Sequence, residues 1–144
     1  MSVFADTSAL YPLLVSTETP HALVRAEFAR LVNSAQPIWT TSFVLVETMA
    51  LLQHRIGLPA ARDFDEEIVP VLSVYWVDDD LYRRGMERLW REDRRRVSLV
   101  DCVSFELMKL KGVTIAFAVD SHFTEAGFEA IQTTTRGRSE RPGR

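Results

Sequence analysis

Four carboxylates sit in surroundings that do not suit a solvated charge. Glu47, in the run VLVETMALL, has Phe43, Val44, Ala50 and Leu51 as its helical neighbours at three and four positions, all apolar. A carboxylate on such a face points into a semi-buried region, where a charge is costly unless it pairs with a cation or coordinates a metal. A structural ion pair with a distant arginine or lysine and a metal site both satisfy that condition. Asp6 and Asp120 each end an apolar run, VFAD and IAFAVD. Ligands of open parallel sheets bind beyond the carboxyl ends of the strands, so two acids placed there can converge on one crevice. Each is also suited to capping a helix or turn. Asp101 closes the stretch Ser98-Leu99-Val100-Asp101, which matches a capping box and favours the helix dipole. Ser8, two positions after Asp6, can cap the following helix or hold a water beside that carboxylate. Asp78, Asp79 and Asp80 read as a cap and first-turn acids.

Other chemistries lack their residues. His21, His54 and His122 show no paired ligand spacing, which argues against a histidine-rich metal site. Cys102 is the only cysteine, so disulfides and CxxC zinc sites are excluded, and among apolar helical neighbours it reads as core. The six glycines are scattered and form no phosphate-binding loop, and no GxSxG elbow supports a serine triad.

The elements that must position the carboxylates alternate between short β-like runs and helix-like stretches. That alternation predicts an α/β domain with a mostly parallel sheet. Strands are expected at Val3–Ala5, Ile38–Thr40, Ser73–Val77, Thr114–Val119 and, weakly patterned, Ala130–Thr133. A short helix should run through Leu14. A second should start at Thr19-Pro20, with Pro at its first position and Leu23, Val24, Phe28, Leu31 and Val32 on one face. Ser42 can cap an apolar helix over Phe43–Arg55, and Leu58-Pro59 restarts one that ends near Pro70. Asp78–Asp80 open a helix to about Arg95, and Ser98 to Lys111 forms another, stopped by Gly112.

With 144 residues, 47% hydrophobic and 26% charged, the chain is a single globular domain rather than a disordered or fibrous one. No apolar run approaches the roughly 18 residues of a membrane span, and the start lacks a signal-peptide pattern. A soluble, cytoplasmic protein is expected. The net charge of −3 is unevenly spread. The last nine residues, RGRSERPGR, are basic and read as a disordered tail (136–144) on a domain of residues 1–135. Arg84, Arg88, Arg91 and Arg95 follow helical spacing and could form a stripe that holds nucleic-acid phosphates, or a solvated face paired with Glu87 and Glu92.

In order, VFADTSAL, VLVETMALL, SLVDCVSFELMKLKGV and AFAVDSHFTEAGF resemble the four acidic motifs of PIN-domain proteins, specifically toxins of the VapC type. The likeness runs from Val3 to about Ile131. It implies a PIN-like fold, a parallel central sheet flanked by helices, with Asp6, Glu47, Asp101 and Asp120 in one acidic pocket and Ser8 hydrogen-bonded within it. Such a pocket would hold Mg²⁺ or Mn²⁺, since hard oxygen donors without His or Cys select those ions. The resemblance implies a metal-dependent endoribonuclease: Asp6, Asp101 and Asp120 bind the metal, and Glu47 is either a ligand or the base that orients water. It also implies the toxin of a toxin–antitoxin pair, a homodimer inhibited by a small cognate antitoxin. Control by a partner is expected on chemical grounds too, because an unselective ribonuclease harms its own cell. An arginine of the partner could enter the pocket and compete with the metal, while Phe28, Leu31 or the Leu51–Leu52 region could supply an apolar docking groove. Competing expectations are a haloacid-dehalogenase-like phosphatase, disfavoured by Ser8 where a second Asp is wanted, a housekeeping PIN nuclease, and a degenerate PIN or receiver-like regulatory module.

Overall fold

Phe4 has no solvent exposure, and the strand that carries it, β1 (Val3–Ala5), is buried along its whole length. A fully apolar strand of this kind belongs in the middle of a parallel sheet covered on both faces. The computed structural model places it there. It describes residues 1–131; the expected basic tail 136–144 and the end of the last expected strand lie outside the described residues.

The other strands are β2 (Ile38–Thr41), β3 (Ser73–Tyr75), β4 (Ile115–Phe117) and β5 (Glu129–Ala130). They form a five-stranded sheet in the order β3-β2-β1-β4-β5, every pairing parallel. The chain builds outward from β1 through β2 to β3, then returns to the other side of β1 for β4 and β5. Between β1 and β4 the direction of building reverses, and at such a switch point the loops above adjacent strands part to leave a crevice. Helices α1 (Thr7–Leu14), α2 (His21–Asn33), α3 (Ser42–Arg55), α4 (Leu58–Asp63), α5 (Asp79–Glu92), α6 (Leu99–Lys111) and α7 (His122–Glu125) flank the sheet. This is the α/β architecture expected from the sequence. Among the described residues no helix is long and apolar enough to cross a membrane.

Several boundaries differ from expectation for physical reasons. Thr41, not Ser42, caps α3, its side chain accepting from the Val44 N–H. The Ser42 hydroxyl instead accepts from the Val77 N–H at 2.9 Å, tying the start of α3 to the chain leaving β3. Pro20 stands at the cap of α2 rather than at its first turn. The expected helix from Leu58 to Pro70 is subdivided: after α4 the backbone widens into a π turn over Phe64–Ile68 and tightens into a 3₁₀ turn over Val69–Val71. Phe64 is fully buried, so the widened turn follows its anchoring in the core.

The basic stripe does not form as expected. Asp93 adopts a left-handed conformation (φ 47°) and ends α5, so Arg95 lies beyond the helix. Arg88 is buried: its guanidinium lies 4.8 Å from the Phe105 ring centroid and 3.2 Å from Glu106. It therefore holds α5 against α6, where Gly85 lets the helices approach closely. Arg84, Arg91 and Arg95 stay exposed. The expected apolar groove also changes, because Phe28, Leu31 and Leu52 belong to the buried core and only Leu51 is half-exposed.

Candidate active site

Asp6 follows β1 directly and caps α1, its Oδ2 accepting from the Ser8 N–H at 3.1 Å. Asp120 follows the neighbouring β4, and its Oδ1 accepts from the His122 N–H at 3.2 Å as α7 begins. The switch-point crevice thus has one acid on each lip. Asp101 completes the capping box of α6: the Ser98 hydroxyl accepts from the Asp101 N–H, and Asp101 Oδ2 accepts from the Ser98 N–H. Glu47 stands in the second turn of α3, half-buried as its apolar neighbours dictate. For Asp6 and Asp101 a capping role and a place at the crevice are compatible. The same bond that satisfies a helix N-terminus fixes the carboxylate above the sheet.

Burial dominates the electrostatics of the group, and the charges of Asp101 and Asp120 reach their neighbours. Burial pushes the Asp6 carboxyl up to about 7, helped by the charges of Asp120 and then Asp101, while its bonds with Ser8 oppose the rise. Glu47 is raised by burial and, more weakly, by Asp101 and Asp120, against contact with the Thr7 hydroxyl. Asp120 is raised by burial, although His122 pulls the other way.

Ser8 bonds to both lips of the crevice. Its hydroxyl oxygen accepts from the Val119 N–H at 3.0 Å and the Asp120 N–H at 3.5 Å, fastening the loop that carries Asp120 to the helix capped by Asp6. Two other residues are not foreshadowed by the motifs. Thr7 bonds Thr48 at 3.0 Å and so links α1 to the α3 turn bearing Glu47. His122 places Nδ1 2.9 Å from Asp101 Oδ2 and 3.6 Å from Asp120 Oδ2, bridging two of the acids. The histidines lack ligand spacing, and only the closeness of His122 to Asp120 in VDSHF could have flagged it.

Among the described residues, no three His, Cys, Asp or Glu side chains are drawn into a finished ligand cage. Backbone N–H groups take Asp6 Oδ2, Asp101 Oδ2 and Asp120 Oδ1, and Asp120 Oδ2 faces His122, which leaves Asp6 Oδ1 and Asp101 Oδ1 for another partner. Together with Glu47 these are hard oxygen donors carrying excess negative charge, a set that fits Mg²⁺ or Mn²⁺.

Residues 3–129 match the PIN domain. The chain is 35% identical over 132 residues to the 23S rRNA-specific endonuclease VapC20 of Mycobacterium tuberculosis, covering 90% of this chain and 98% of that one. The crystal structure of Mycobacterium tuberculosis VapC20, described as a sarcin-ricin loop cleaving toxin, superposes with a TM-score of 0.78 at 34% identity, over 88% of this chain and 95% of that one. FitAcB from Neisseria gonorrhoeae shares the fold at a TM-score of 0.66 and 12% identity, over 92% of this chain and 98% of that one.

Proposed function

The chain belongs to the PIN domain family, and on that premise we propose that it is a divalent-metal-dependent endoribonuclease, the toxin of a VapBC-type toxin–antitoxin pair. One observation supports the reading: Asp6 and Asp120 stand at the switch point of the sheet, tied together through Ser8, with Asp101 joined to Asp120 through His122 and Glu47 half-buried beside them. Likeness to a 23S rRNA-specific endonuclease supports ribosomal RNA as the substrate. Residues 1–135 constitute the nuclease, with 136–144 as a basic extension. The protein acts in the cytoplasm as a homodimer, inhibited by a cognate antitoxin whose arginine competes for the same carboxylates.

Asp6, Asp101 and Asp120 would hold Mg²⁺ or Mn²⁺, directly or through water, with Glu47 as a further ligand or as the base that orients the attacking water. When bound, the cation supplies positive charge against the phosphodiester and lowers the pKa of water. Ser8 keeps Asp6 and Asp120 at a fixed separation by anchoring the Asp120 loop. His122 holds Asp101 and Asp120 in register across the crevice. Thr7 and Thr48 set the height of Glu47 through the packing of α1 on α3. Arg84, Arg91 and Arg95 are the exposed arginines of the expected set, available to RNA phosphates; Arg88 is not.

The test is ribosomal RNA cleavage by the purified protein with Mg²⁺, with Mn²⁺ and with chelator. It is paired with induced expression of wild type and Asp6→Asn in a bacterial host, with and without the neighbouring small open reading frame. Cleavage abolished by chelator, with growth arrest that needs Asp6 and is relieved by the neighbour, supports the reading. Harmless expression of an active ribonuclease would identify a housekeeping nuclease, and cleavage indifferent to chelator would refute the metal assignment.

A further inference from the structure

A cavity of about 380 Å³ opens beside the acidic crevice and shares Ser8 and Asp120 with it. Its floor is α1 at Tyr11 and Pro12; its far wall is the last turns of α3 at Leu51 and Arg55. Arg55 lies 5.5 Å from the Tyr11 ring centroid, a cation over an aromatic face. Among the described residues no carboxylate lies within ion-pair distance of it, although Glu18 also lines the cavity. The Tyr11 ring holds Arg55 on the wall of a recess at the edge of the acidic crevice, and no carboxylate of the described residues takes its guanidinium fork. Apolar walls from Leu51, Pro12 and Val119 suit the flat face of a base. The guanidinium fork suits acceptors on a base edge, such as purine N7 and guanine O6.

We propose that this cavity is the subsite for the nucleobase next to the scissile phosphate, with Arg55 as the residue that reads it. The inference deepens the endoribonuclease reading and rests on it. RNA bound with its phosphate over Asp6 and Asp120 must lead its neighbouring nucleotide away from the acids, and this recess is the opening that Ser8 and Asp120 share. An acidic or aromatic segment of a protein partner is the competing occupant, since its carboxylates also suit the guanidinium fork, and the experiment below separates the two.

The experiment uses full-length protein carrying Asp6→Asn, which should not cleave, with fluorescent RNA that the wild type cleaves. Affinity is measured by anisotropy with chelator present, before and after adding Arg55→Ala or Arg55→Lys. The exposed position of Arg55 means that both variants should melt like their parent. Loss of a bidentate base contact predicts about 5- to 100-fold weaker binding for Arg55→Ala. Arg55→Lys should recover less than the charge alone would give, because the fork is absent. On the cleaving background, Arg55→Ala should raise KM and narrow the rate difference between RNAs that carry a purine or a pyrimidine beside the cut. Unchanged affinity and base preference, with the parent still binding and cutting RNA, would overturn the subsite while leaving the ribonuclease reading intact. The subsite is overturned in the same way if Arg55→Ala impairs only binding of the antitoxin. A parent that neither binds nor cuts RNA would overturn the ribonuclease reading and the subsite with it.

Discussion

Replacing Asp6 by asparagine removes a charge without removing a helix cap, since an amide oxygen can still accept from the Ser8 N–H. Asp6 is 3% exposed, and its carboxyl is raised from an ordinary 3.8 to about 7, chiefly by burial. A tenfold change in proton affinity is worth about 1.4 kcal/mol, so the rise corresponds to ~4 kcal/mol of linkage. The sign follows from which state holds the proton. Between those two values the folded, metal-free protein binds a proton that the unfolded chain has released. The contribution to stability is therefore complete below about pH 4 and is lost as pH climbs through about 7. Asparagine does not titrate, so Asp6→Asn should match wild type near pH 4 and exceed it by up to ~4 kcal/mol near pH 8. For a chain of this size, that ceiling is on the order of 10 °C in Tm. The assay is thermal unfolding of both proteins by circular dichroism at about pH 5 and about pH 8 in chelator. Adding Mg²⁺ at pH 8 should then raise wild type more than the mutant, because only wild type supplies the full ligand charge. An Asp6→Asn protein no more stable at pH 8 than wild type, or equally favoured at both pH values, would refute the picture of a strained acidic pocket.

Three further outcomes follow from local geometry. Gly85→Ala places a Cβ 2.5 Å from Val103 Cγ2 and should destabilise the α5–α6 contact by about 1–3 kcal/mol, read from urea midpoints, despite alanine's better helix propensity. Arg88→Ala leaves Glu106 with only the longer Arg91 contact, while Glu92 keeps Arg94, and should cost about 2–3 kcal/mol; Arg88→Ala combined with Glu106→Ala should cost less than the two losses added, in a double-mutant cycle. Ser8→Ala leaves the Val119 and Asp120 N–H groups without their acceptor and should cost about 1–2 kcal/mol. Its kcat should fall more than its KM rises, since what loosens is the loop carrying Asp120, and Ser8→Thr should restore part of the rate.

What the sequence made legible was local, and what it hid was decided between elements. Val3–Ala5 and Ile115–Phe117 are readable as central strands because burial on both faces leaves no polar residue in either run. The three aspartates are readable because each sits at an abrupt change from apolar strand or cap residue to helix start. Their capping and pocket roles could not be separated by sequence because they coincide: the positive end of a helix is where a carboxylate is held, and helix starts gather where parallel strands end. Arg88 shows the opposite case. Its four-residue spacing from Arg84 suggested a solvent-facing stripe, and its burial depends on Phe105 and Glu106 from another helix. His122 is similar, since a hydrogen bond to a residue 21 positions earlier makes it part of the site. Residues of this kind neither break their local pattern nor complete a motif. They become visible only when the sheet order places α6 and the β4–α7 loop side by side, and a reading based on spacing alone will assign them to the surface whenever their own element permits it.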